Sequence, residues 1–96
     1  MAAPLIVYYQ FFLEIPTAYS LKEKRGFLKG PLERIRKKLN VAVIEFDEQD
    51  IWNRATVAAI TLGTSESIIN HTRELIIQEL EEKGGMLVKD WTEERL

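Results

Sequence analysis

Residues 5–15 alternate with a period of two. Leu5, Val7, Tyr9, Phe11, Leu13 and Ile15 fall on one side, and Ile6, Tyr8, Gln10, Phe12 and Glu14 on the other. A run with one wholly apolar face and one mixed face reads as a β-strand that must be covered on one side. That need for a covering layer restricts the fold more than any other feature of the chain. Pro16 ends the run, since proline has no N–H to give to a ladder. The cover follows directly. Ser20-Leu21-Lys22-Glu23 fits a capping box, in which the serine accepts from the third helical N–H and the glutamate reaches back. Leu21, Leu28, Leu32, Ile35 and Leu39 then recur at helical spacing. Pro31 lacks an N–H and its ring crowds the carbonyl of Phe27, which predicts a kink, or a break with Pro31 opening a second segment. The apolar phase continues across it, which favours one kinked helix stopping near Asn40.

The rest of the chain repeats the alternation of types. Residues 41–46 are β-branched and short, a strand. Residues 47–53 form a polar connection with Ile51 and Trp52 as apolar anchors. Residues 54–62 make a second β run, ended by Gly63. Thr64 or Ser65 caps a helix over residues 66–83, with Ile69, Thr72, Ile76 and Leu80 on one face. Gly84-Gly85 supplies a left-handed exit. Residues 86–91 read as a weaker strand, and the charged tail 92–96 is expected to fray. Ninety-six residues are one domain, 1–96. The order strand, helix, strand, strand, helix, strand predicts an α+β, ferredoxin-like βαββαβ sandwich. Its four-stranded antiparallel sheet carries both helices on one face, because right-handed crossovers place them there.

Composition matters through its distribution. The formal net charge is −2. Residues 22–38, however, hold eight basic side chains against two acidic, and the remainder five against thirteen. Along a helix Lys22, Lys29 and Arg36 share a direction and Arg25 lies beside them. Lys24, Arg34, Lys37 and Lys38 are read as covering the other solvent-facing side. Like charges at this spacing are mildly destabilising, by roughly 0.2–0.5 kcal/mol per pair. Such a ladder suits phosphate tracking, or else it is a solvated face whose charges pair with the acidic remainder.

Other chemistries have thin support. The chain has no cysteine, which excludes disulfides, thiolate metal sites and a thiol nucleophile. The glycines follow neither dinucleotide nor P-loop spacing. His71, the one histidine, lies inside the second helix without a partner, and Ser20 reads as a cap. The carboxylates Glu45, Asp47, Glu48 and Asp50 lack the spacing of a calcium loop. They read as an acidic connection in which Asp50 pairs with Arg54 and Trp52 plugs the sheet edge. Tyr8 and Phe12 sit where base-stacking sheets carry aromatics, but residues 54–62 bring none. Tyr8, Phe12, Ala58 and Ile60 therefore form a candidate apolar patch for a second copy or a protein partner. No basic residue precedes Lys22, so the charged start of a signal peptide is missing. The apolar start is too short to span a bilayer.

Three motifs occur in order: Ile15-Pro16 with Ser20-Leu21-Lys22-Glu23-Lys24-Arg25, then Leu39-Asn40-Val41-Ala42-Val43-Ile44-Glu45, then Gln49-Asp50-Ile51-Trp52-Asn53-Arg54-Ala55. On these the chain resembles the YlxP-like family of small bacterial proteins, a domain of unknown function. Leu39 stands where the family pattern has phenylalanine, and the final strand matches poorly. The resemblance implies a ferredoxin-like fold and a cytosolic bacterial protein. Relatives are often encoded near ribosome-binding factor A, which implies a connection with RNA or the ribosome. No activity is established for the family, so no catalytic residue carries over. Ser20, Gln49, Asp50 and Trp52 match its signature positions, as do Lys22, Lys24, Arg25 and Arg54.

The expectation is a non-enzymatic cytoplasmic protein that binds structured RNA or a ribosomal particle. Lys22, Lys24, Arg25, Lys29 and Arg36 would contact phosphates, with Arg54 in addition. The alternative is a homodimeric interaction or scaffold module using the open sheet. No cofactor, metal, membrane or small-molecule substrate is expected.

Overall fold

The computed structural model of the chain describes residues 3–46 and 50–96. Six principal elements follow in order: β1 (Leu5–Glu14), α1 (Leu21–Lys38), β2 (Val41–Phe46), β3 (Arg54–Gly63), α2 (Glu66–Gln78) and β4 (Leu87–Arg95). The sheet order is β2-β3-β1-β4, antiparallel throughout, the order of a ferredoxin-like sandwich. The alternation in β1 sets the layers as expected. Val7, Tyr9, Phe11, Leu13 and Ile15 are buried, in one core with Leu28, Leu32 and Ile35 of α1 and Ile69 and Ile76 of α2. Both helices therefore cover the same face. Tyr9 reaches into that layer, where its hydroxyl donates to the Ile69 carbonyl at 3.1 Å.

One helix runs through Pro31, whose ring is buried on the core side. The Ser20 hydroxyl accepts from the Glu23 N–H at 3.1 Å, as the capping box requires. The reciprocal bond differs: the Glu23 carboxylate accepts from the N–H of Tyr19, one residue before the cap. The second helix also departs from the simple pattern. After Gln78 the chain continues as a five-residue π-helical turn, Glu79–Lys83. Gly85, at φ 69°, then takes the left-handed exit.

The tail does not fray, contrary to expectation. β4 continues to Arg95 along the outer edge of β1, and the Leu96 N–H donates to the Ile6 carbonyl at 2.9 Å. The cause is cross-layer pairing. Trp91 lies opposite Phe11 and faces the helices, where the Arg73 guanidinium stacks on its ring at 4.7 Å. Arg73 also pairs with Glu93 at 3.3 Å, and Arg95 pairs with Glu66. The charges that mark the tail as a loose end in sequence are what tie it to α2. Among the described residues no helix is long and apolar enough to cross a membrane.

Candidate functional site

Seven of the eight basic residues of α1 separate into three groups once their partners are known, and Lys37 is exposed with no ion pair among the described residues. Arg34 and Lys38 face the π-helical turn and engage Glu79, at 2.8 and 3.6 Å. The buried Glu79 carboxylate also takes Lys83 at 3.3 Å. The donated bond from Arg34 holds its pKa below the usual carboxylate range, against the opposing effect of burial. These cations join the two helices. Lys22, Arg25 and Lys29 form the second group. They are exposed, and no ion pair is formed with them among the described residues. Arg36 continues their flank towards the C-terminal end of α1. It is exposed too, but one guanidinium N–H donates to the Val43 carbonyl at 3.0 Å.

Lys24 stands alone and corrects the sequence reading. It is 2% exposed, on the buried stripe of α1 with Leu28 and Ile35. Its ammonium pairs with Glu45 at 2.9 Å and donates to the Ile51 carbonyl at 2.7 Å. A lysine so enclosed does not reach a phosphate. The buried Glu45 Oε2 has no further hydrogen bond among the described residues, and the ammonium is its compensating charge.

This junction brings three sequence motifs to one place. Ser20 starts α1, Lys24 follows one turn later, Glu45 comes from β2, and Ile51 belongs to the connection before β3. A cleft of about 260 Å³ beside it is lined by Leu21, Lys24, Arg25, Glu45 and Asp50. Asp50 is exposed and forms no ion pair with Arg54 among the described residues. Trp52 is 48% exposed and plugs no edge. Gln49, Asp47 and Glu48 lie outside the described residues. Arg54 begins β3 opposite Glu14, on the side of the sheet away from α1, so the sheet separates it from the Lys22–Arg25–Lys29 flank. His71 is exposed on α2, remote in sequence from the junction. Among the described residues no three His, Asp or Glu side chains are placed to hold a metal.

The second surface is the uncovered face of the sheet. Tyr8, Phe12, Ala58 and Ile60 all lie on it, as alternation demands. So do Ile6, Ala42, Ile44 and Leu62, which the sequence reading did not single out. The signal was present. Val41 and Val43 face the core, so Ala42 and Ile44 must face away. Ile44, Leu62 and Ile60 are 57%, 53% and 40% exposed. Ala42, Ala58 and Ala59 floor a depression of about 240 Å³, walled by Tyr8, Ile44 and Ile60.

Together these features define a small ferredoxin-like α+β sandwich with a basic helix flank on one side and an aliphatic sheet face on the other. The sequence pattern of the family described as "Protein of unknown function (DUF503)" matches residues 6–92, and the chain belongs to that family. It is 42% identical over 48 residues to the "Uncharacterized protein YlxP" of Bacillus subtilis (strain 168). The matched stretch covers 50% of this chain and 52% of that relative, so the chain spans about half the relative's length. The family resemblance carried by the three motifs therefore holds.

Proposed function

We propose that the protein binds structured RNA, on its own or within a ribosomal particle, through the exposed flank of α1. Lys22, Arg25 and Lys29 provide the phosphate contacts and Arg36 extends them with its remaining donors. One observation carries this reading: these cations have no acidic partner among the described residues, although thirteen carboxylates lie elsewhere in the sequence. Arg34 and Lys38, on the same helix, instead share the Glu79 carboxylate. A helix that served only for packing would gain from the same arrangement along its whole length. Lys22 and Lys29 lie roughly 10 Å apart along the axis at 1.5 Å per residue. That spacing addresses separate phosphates of a folded backbone better than one small anion.

The test is RNA affinity measured against salt for the wild type and for Lys22→Glu/Arg25→Glu. Loss of two phosphate contacts should reduce the slope of log K against log salt by about two. Sequence preference should not change. Absence of binding at about 50 mM salt, or a slope untouched by the charge reversal, overturns the reading.

A further inference from the structure

We propose that the uncovered sheet face is the contact surface of a homodimer, with the two sheets packed face to face about a two-fold axis that runs along β3. Four observations on the fold support this occupant. First, some backbone groups on both edges of the sheet are already taken by side chains. Arg36 holds the Val43 carbonyl on β2. On β4 the Val88 N–H is taken by Glu81 at 3.1 Å, and the Trp91 N–H by Asp90 at 2.8 Å. Side chains that occupy edge groups in this way discourage strand pairing between molecules. Association is directed to the face.

Second, the middle of the face requires no partner of opposite charge. Across β2, β3 and β1 it presents Ala42, Ile44, Ala58, Ile60, Ile6 and Tyr8. The charges on these strands are confined to one end, where Glu14 lies opposite Arg54 and pairs with Lys89 at 3.6 Å. A surface that is neutral within itself is complementary to a copy of itself. Third, it has relief. The depression over Ala42 and Ala58 accepts large side chains, and Tyr8, Ile44 and Ile60 around it are large.

Fourth, the area fits a reversible dimer. β1, β2 and β3, about 4.8 Å apart at about 3.4 Å per residue, make a covered face of roughly 400 Å². Two such faces bury on the order of 850 Å², the size of a weak, concentration-dependent association. The axis follows from charge. β4 carries Asp90 and Glu94 on this side, opposite Phe12 and Tyr8. An axis across the strands would lay one acidic row on the other. An axis along β3 lays β2 over the partner's β1 and leaves both acidic rows at a solvated rim.

Sedimentation velocity of the wild type, up to on the order of 100 µM, should show a dimer. Ile44→Lys/Ile60→Lys should sediment as a monomer with unchanged circular dichroism. A second measurement serves if that variant fails to fold. The chain has no cysteine, so single cysteines report position without background. Sheets in such a packing lie about 10 Å apart, beyond a disulfide's reach but within that of a short bismaleimide. Ile60→Cys, beneath the axis, should give a linked dimer, and Glu94→Cys, at the rim, should not. A monomeric wild type overturns the proposal. So does a folded Ile44→Lys/Ile60→Lys variant that stays dimeric, or linking at Glu94→Cys in preference to Ile60→Cys. Because the RNA surface lies on the other layer, Lys22→Glu/Arg25→Glu should leave the dimer intact, which keeps the two proposals separately testable.

Discussion

Lys24 shows how far a single residue departs from what its charge suggests. At 100° per residue it lies within about 20° of Ile35, in phase with Leu28 on the apolar stripe. The spacing of that stripe marks Lys24 as buried, whereas its position inside a basic run marks it as solvated. Packing decides, because Glu45 and the Ile51 carbonyl supply the ammonium with partners that water would otherwise provide. The partners sit 21 and 27 positions away, so no local pattern reveals them. Removing one member of such a pair leaves the other charge buried. Lys24→Ala should therefore lower unfolding free energy by about 3 kcal/mol, whereas Lys22→Ala should change it by less than about 0.5 kcal/mol. Urea denaturation of the two variants checks this. Equal stabilities would mean that Lys24 is not enclosed. Lys24, Glu45 and Ile51, one from each of the three motifs, thus fasten the connection to α1 and β2.

Elements were legible where a period identified them. The strands alternate, the helices repeat at 3.6 residues, and Ser20 and Ser65 cap as their positions suggest. The π-helical turn was not, since Glu79–Lys83 carries no period distinct from an α-helix. Its position places Glu79 against Arg34 and Lys38, a tertiary demand made by α1. The open face was legible only in part for a similar reason. Ile44 looks like a core residue until the partner strand fixes which side of β2 is buried. Glu79 makes the turn sensitive to acid. Its folded pKa lies below the ordinary value near 4.5, chiefly through the bond from Arg34. The stabilisation is therefore present above the unfolded pKa and is lost as pH falls through the folded one. Thermal melts from about pH 6 downwards should show a steeper loss of stability for the wild type than for Glu79→Gln. Parallel curves would exclude Glu79 as a contributor to the acid limb.

At the scale of the whole molecule the two layers have separate surfaces. The basic flank of α1 lies on the helix side of the sheet, and the aliphatic face lies on the other. A dimer closed through that face keeps both basic flanks outside, where two contacts to one RNA would reinforce each other. The net charge of −2 conceals this layout, since α2, the π-helical turn after it and β4 hold eight of the fifteen carboxylates, none of them paired with Lys22, Arg25 or Lys29. Polyanion binding depends on local potential within about 10 Å at 0.1 M salt, not on the molecular sum. The protein should therefore be retained on heparin at low salt despite a pI near 5.4. Lys22→Glu/Arg25→Glu/Lys29→Glu should abolish retention. Lys37→Glu/Lys83→Glu/Lys89→Glu changes the net charge by the same amount at positions off the flank, and should elute close to the wild type. Equal loss in both variants would show that net charge governs binding, and retention of the first would show that the flank is not the anion surface.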